Sequence, residues 1–280
     1  MRQYFMHNLA KTLFISIAVL LGTVYIIVLL QQYSVKDVTE DIISLEGLHV
    51  PALVDSKKPV PNFSEFSDVT EKKRAFFAYL QPEIQRQNNI VLKEREMVLA
   101  LQAQFLQGQK FDTHQQQVFN KLSAKYTFSS DQELSIEKTL ERLVRRVDII
   151  PEALVLVQAA NESGWGVSRF AQNGYNFFGL WCFKKGCGFV PSRRNDDAEH
   201  EVAKFRDLSH AVMTYIRNLN RHYAYKELRD IRAELRQANK PVTANQLAAG
   251  LSSYSERGQE YIEELLSMIR VNRQHMEAVY

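Results

Sequence analysis

The chain has 280 residues, enough for one or two domains with a real core. Its formal net charge is +3, with Arg2 and Lys11 supplying two of the positive charges ahead of the first apolar stretch. The remainder is close to neutral, which argues against a nucleic-acid binder with its polycationic footprint.

Residues 1–12 read as a cytoplasmic N-terminus. The run from Leu13 to Leu30, LFISIAVLLGTVYIIVLL, is 18 residues long and carries no charge. That approaches the length of a spanning helix, since about 20 residues at ~1.5 Å rise cover the hydrocarbon core. The run ends in VLLQQYS, without a small-x-small cleavage site, so an uncleaved anchor is expected over a cleaved signal peptide. Arg2 and Lys11 place the N-terminus in the cytoplasm. The expected arrangement is a single-pass protein of the bacterial inner membrane with its body in the periplasm.

Residues 31–65, with Pro51, Pro59 and Pro61, read as a linker. A helical support segment is expected over 66–111. Asp68 followed by Glu71 resembles a capping box, and Pro82 predicts a kink or the start of a second helix. Ile84, Ile90, Val91, Met97, Val98 and Leu101 then recur at amphipathic spacing. No chemistry is legible there.

The main domain is expected over 112–280. Ile136, Leu140, Leu143, Val144 and Val147 form one apolar stripe of a helix from Ser135 to Val147. In the next segment, IIPEALVLVQAANESGWG, Pro151 suits a first helical position and only Gln158 is polar between Ala153 and Ala160. This helix is expected to be buried nearly all round, with Gly164 and Gly166 ending it. Around 178–183, 187–191 and 199–206, glycines and aromatics predict short β segments and a hairpin. Helices return with Val212, Tyr215, Ile216, Leu219 and Tyr223, then with Leu228, Ile231 and Leu235. Thr243 with Gln246 makes a second capping box, and Ile262, Leu265, Leu266 and Ile269 stripe the last helix. The expected fold class is mainly α, an α+β domain with a small β-hairpin subregion, plus the N-terminal transmembrane helix.

The chain has two cysteines, Cys182 and Cys187, in WCFKKGCG. In an exported chain such a pair reads as a local disulfide. Zinc would require three or four ligands, and His200 is the only histidine close by in sequence. Buried free thiols are the other alternative. No metal and no cofactor is expected.

Glu162 ends the apolar helix beside Trp165. Desolvation raises a carboxyl pKa, and a glutamic acid protonated near neutrality can give a proton to the leaving oxygen of a glycosidic bond. The alternative is a surface helix-end residue, or a neutral core glutamate without function.

QAANESGWGVSRFAQNGYNFFGLW resembles the glucosaminidase domain of bacterial autolysins, endo-β-N-acetylglucosaminidases with a lysozyme-like fold. The matching blocks are Gln158-Ala159, Glu162-Ser163-Gly164-Trp165-Gly166, Asn176-Phe177-Phe178-Gly179 and Phe205-Arg206. YSERGQEYI, with Tyr254 and Tyr261, is similar to the family's tyrosine motif and to that of lytic transglycosylases. GLWCFKKGCG and HEVAKFRD look most like the Bax-type proteins of Gram-negative bacteria. The resemblance, over about 112–280, implies Glu162 as general acid and Tyr261 near the anomeric centre. It implies substrate-binding roles for Ser163, Trp165, Asn176, Phe177, Trp181 and Tyr254, although Trp165, Phe177 and Tyr261 also suit a core.

Many such autolysins carry a second glutamate about thirteen residues before the F-R block, where this chain has Ser192. Asp196, Asp197, Glu199 and Glu201 follow, and Glu201 is the candidate partner; a solvated acidic loop is the alternative. Inverting chemistry needs the two carboxyls ~6.5–9.5 Å apart and retaining chemistry ~5–5.5 Å. Without a partner, the substrate's acetamido group or a muramyl hydroxyl would attack. The expected function is therefore a membrane-anchored hydrolase of β-1,4 bonds in periplasmic peptidoglycan strands. The alternatives are a lytic transglycosylase producing anhydro ends, or a catalytically weak glycan-binding scaffold.

Overall fold

The computed structural model describes residues 58–128, 134–190 and 200–277. The expected 13–30 anchor, most of the 31–65 linker, and Asp196, Asp197 and Glu199 lie outside them. Among the described residues no helix is long and apolar enough to cross a membrane. All of them fall within one compact unit, His49–Tyr280.

Helix α1 (Val69–Leu106) begins where the Asp68 side chain accepts from the Glu71 amide at 2.7 Å. It runs through Pro82 undivided, so no second helix starts there. A proline inside a helix costs roughly 3 kcal/mol. Phe76, Phe77, Leu80 and Ile84 around it are fully buried, each contributing about 1.5–3 kcal/mol, and packing wins. The 66–111 stretch thus supplies a central helix, packed against α2 (Thr113–Tyr126), α3 (Ile136–Arg146), α4 (Glu152–Ser163), α6 (Leu208–Arg221) and α9 (Gln259–Glu277). From the expected linker, Phe63 is fully buried against Phe76 and Tyr79.

Helix α3 is capped by Ser135 and follows its predicted stripe in part: Leu140, Leu143 and Val147 are buried, Val144 is half-buried and Ile136 is exposed. Helix α4 has no exposed face along Leu154–Ala160, as its composition predicts. Gly164, at φ 57°, ends it in the left-handed conformation.

Between these two helices Asp148 is buried, and Arg236 grips it through two bonds of 2.9 Å. Arg232, also buried, donates to the carbonyls of Arg145 and Arg146 at the end of α3, and to Asn220. It therefore caps α3 from α7 (Lys226–Gln237). This corrects the expected apolar stripe of α7. Leu228 is buried, but Arg229 and Arg232 take the interior positions and Ile231 and Leu235 are only half-buried.

After α5 (Arg169–Gly174) come β1 (Trp181–Cys182), β2 (Gly188–Phe189) and β3 (Glu201–Ala203). The antiparallel sheet has the order β1-β3-β2, with Trp181 opposite Val202 and Gly188 opposite Ala203. The strands are shorter than expected, and side chains brace the region around them. Asn176 bonds Leu180 and Ala203, and Glu201 bonds the 186–188 turn. At Gly188 a Cβ would lie 2.0 Å from the Val202 carbonyl oxygen, so only glycine fits.

Helix α6 starts on Asp207, which accepts from the His210 amide at 2.7 Å. Tyr223, expected in its apolar stripe, instead stands 78% exposed in a short 3-10 turn because α6 ends at Arg221. The Thr243–Gln246 capping box forms and opens α8 (Ala244–Ala248), and α9 buries Tyr261, Ile262 and Leu265.

Candidate active site

Glu162 occupies the last turn of α4, where the apolar helix carries it out of the core into a cleft of about 660 Å³. Burial pushes its carboxyl pKa up. A hydrogen bond from Tyr261 and the charge of Arg257 oppose that, Glu264 adds to it, and the net direction is upward. The acid therefore keeps its proton to a higher pH than a free glutamate.

Tyr261, buried on α9, accepts from Gln158 Nε2 at 2.9 Å. Gln158 Oε1 in turn accepts from the Tyr215 hydroxyl. The lone polar residue of the apolar helix thus links Tyr215 to Tyr261, and Tyr261 to the acid. Tyr254 stacks on Tyr261 with ring centroids 5.6 Å apart and donates to the Phe178 carbonyl at 2.9 Å. Gly179, at φ 63°, lets the 178–180 backbone approach the acid: a Cβ there would lie 3.5 Å from Glu162 Oε2.

The expected site residues divide. Glu162, Trp181 and Tyr254 line the cleft, and Tyr261 touches Glu162 without lining it. Trp181 is 58% exposed and stacks on His200 at 4.1 Å, leaving an aromatic surface at the rim. Four expected substrate contacts lie elsewhere. Ser163 is buried, donating to the Ala159 carbonyl and accepting from the Gly166 amide, so it shapes the turn after the acid. Trp165 packs edge-on against Phe76 and Phe77 of α1. Asn176 knits the Leu180 loop to β3. Phe177 is core, against Phe76 and Tyr79.

Glu201 is not brought to Glu162. It is buried on β3, its two oxygens accepting from the Gly186 and Gly188 amides at 2.9 and 2.8 Å, and it does not line the cleft. Cys182 and Cys187 form a disulfide over the same turn. Their sulfurs lie within 4.8 Å of the Glu201 carboxylate, but joined to each other they do not serve as thiolate ligands.

Sequence reading missed one wall of the cleft. Thr214, Arg217, Asn218 and Arg221 line it from α6, with His222 just beyond. The signal was a polar stripe at three- and four-residue spacing beside an apolar one, a pattern usually belonging to a solvated face.

A family model described as Glucosaminidase (mannosyl-glycoprotein endo-beta-N-acetylglucosaminidase) matches residues 137–274, from α3 through α9. Protein bax of Escherichia coli (strain K12) is 31% identical over 219 residues, covering 78% of this chain and 76% of that protein. No solved structure gives a significant match.

Proposed function

Because the chain belongs to the Bax-type glucosaminidase family, a glycosidase-type family, we propose that it cleaves β-1,4 glycosidic bonds in peptidoglycan strands with Glu162 as general acid. The observation that carries this reading is a desolvated carboxyl, raised in pKa and hydrogen-bonded by Tyr261, opening into a cleft with an exposed tryptophan at its rim. Protonated Glu162 gives its proton to the bridging oxygen as the bond to the anomeric carbon breaks. Tyr261 holds the carboxyl in place and stabilises the carboxylate left behind. Trp181 offers a face for a sugar ring, and Tyr254 fixes the Phe178 carbonyl beside the acid.

The enzyme acts from the periplasmic side of the inner membrane, tethered by the 13–30 span. The uncharged run behind Arg2 and Lys11 supports that placement, and a disulfide suits an oxidising compartment. The domain takes a lysozyme-like form, as the autolysin resemblance implies.

A second reading has a specific observation in its favour. Among the described residues Glu162 is the one carboxylate lining the cleft. A single acid suits the lytic transglycosylase route, in which a muramyl hydroxyl attacks the anomeric carbon and returns its proton to Glu162, leaving an anhydro end. It also suits attack by the substrate's own acetamido group, which ends in hydrolysis. The deciding experiment compares wild type with Glu162→Gln on purified peptidoglycan and reads the products by mass spectrometry. Reducing ends from wild type alone establish hydrolysis, and anhydro ends establish transglycosylation. Identical fragments from both proteins would sink the enzymatic reading and leave a glycan-binding scaffold.

A further inference from the structure

Helix α6 turns two faces to different surroundings. Val212, Tyr215, Ile216 and Leu219 lie in the core, whereas Thr214, Arg217, Asn218 and Arg221 line the cleft that holds Glu162. Two guanidinium groups therefore share a cleft whose one carboxylate, among the described residues, is the proposed acid. Arg221 lies over the Phe128 ring, its guanidinium carbon 4.3 Å from the centroid, and Arg146 approaches the same ring at 5.7 Å. Arg217 is half-buried and makes no ion pair with any described residue. The Thr214 hydroxyl on the same wall is buried without a hydrogen-bond partner.

Removing a guanidinium from water costs free energy that protein structures normally offset with an acid. Arg95, Arg232 and Arg236 follow that rule, converging on Asp148, and buried Arg229 is held instead by the Leu219 and His222 carbonyls. Arg217 has neither kind of partner among the described residues, and it lies in an open cleft. Its planar fork fits a carboxylate through two parallel bonds.

We propose that Arg217, with Arg221 and Thr214, forms an anion subsite that binds a carboxylate of the glycan and selects acidic, muramic-acid-type saccharide over neutral N-acetylglucosamine oligomers. The inference rests on the glycan-cleaving reading and names which glycan the cleft prefers. Such a carboxylate has two sources: the lactyl ether of a peptide-free muramic acid, or a carboxylate of an attached stem peptide.

The test is a binding measurement on the Glu162→Gln protein, by calorimetry. The probes are a peptide-free disaccharide with a free lactyl carboxylate, its methyl ester, and the same disaccharide bearing a stem peptide. At least one carboxylate-bearing probe is expected to bind roughly 10- to 100-fold tighter than the ester, the worth of a charge-assisted contact. Which one wins identifies the source. Adding Arg217→Gln should erase the difference, and Arg217→Lys should keep part of it. If Arg217→Gln proves unfolded by circular dichroism, Arg221→Gln carries the measurement and should shrink the preference. Equal binding of acids and ester, or a preference that survives Arg217→Gln, overturns the subsite. Cleavage by wild type is scored separately. Discrimination without cleavage removes the glycosidase reading alone, and cleavage without discrimination removes the subsite alone.

Discussion

The Tyr261 hydroxyl hydrogen-bonds the Glu162 carboxyl while accepting from Gln158 at 2.9 Å. Its own proton is thereby directed at the acid. A donated hydrogen bond favours the charged carboxylate, so Tyr261 holds the pKa of Glu162 below the level burial alone would set. Tyr261→Phe should release that restraint. The alkaline limb of the pH–rate profile should move to higher pH while the rate falls about 10- to 100-fold. A residue needed only for packing would lower the rate and leave the limb where it was. Tyr215→Phe, one link further away, should move it less.

Glu162→Gln should reduce glycan cleavage by roughly 10²–10⁴-fold, the usual contribution of a general acid. In wild type the active form is the protonated one, so activity falls as pH rises through the raised pKa. Stability follows the same sign. A carboxyl whose folded pKa exceeds its unfolded value makes the native state bind more protons, and stability drops as pH rises through that window. Glu162→Gln should therefore raise the melting temperature more at pH 8 than at pH 4. An equal gain at both values would count against a displaced carboxyl.

Asp148 has the opposite linkage. Burial alone would raise its pKa, but hydrogen bonding from Arg236 and the charges of Arg232 and Arg95 outweigh it, and the net direction is down. Its contribution is complete above the unfolded carboxylate pKa and is lost as pH falls through the depressed folded value. Asp148→Asn should cost about 3–5 kcal/mol by leaving buried arginines uncompensated. The difference from wild type in denaturant melts should narrow as the pH is lowered toward that value.

The Cys182–Cys187 disulfide and Glu201 hold the same turn. Thiol reagents should label neither cysteine until a reductant is added. Replacing both with serine should cost about 2 kcal/mol, the loop-closure value for so short a ring. Glu201→Gln should act on the same turn, so the combined variant should lose less than the sum of its parts. A Glu201→Gln protein that kept full stability but lost all cleavage would instead restore Glu201 as a catalytic partner.

Much of this arrangement was legible in residue order. The apolar helix ending in Glu162, the Asp68 and Thr243 caps and the sheet region all follow from local pattern and turn chemistry. What escaped depends on contacts distant in sequence. Arg232 is buried because the carbonyls closing α3 and the Asp148 carboxylate lie against it, and nothing within α7 announces that. Asn176, Ser163 and Glu201 are buried on backbone partners, in a setting distinct from the cleft wall that residue order does not reveal. Arg217 lies on a stripe that reads as solvent-facing until the 178–183 loop and Tyr254 are placed around the same cleft.

Phe63 comes before the first helix, yet it closes over the turn that follows the acid. A Cβ at Gly166 would meet its ring at 2.4 Å, and Phe76 of α1 stands 3.2 Å from the same point. The stretch matched by the family model begins only at residue 137. Grafting that stretch alone into another protein would strip the aromatic lid from the glutamate's turn and lay bare the apolar sides of α3, α4, α6 and α9 that α1 covers. The smallest portable unit of this chain therefore includes Phe63 and α1, and residues 137–274 of this chain expressed alone are expected to aggregate.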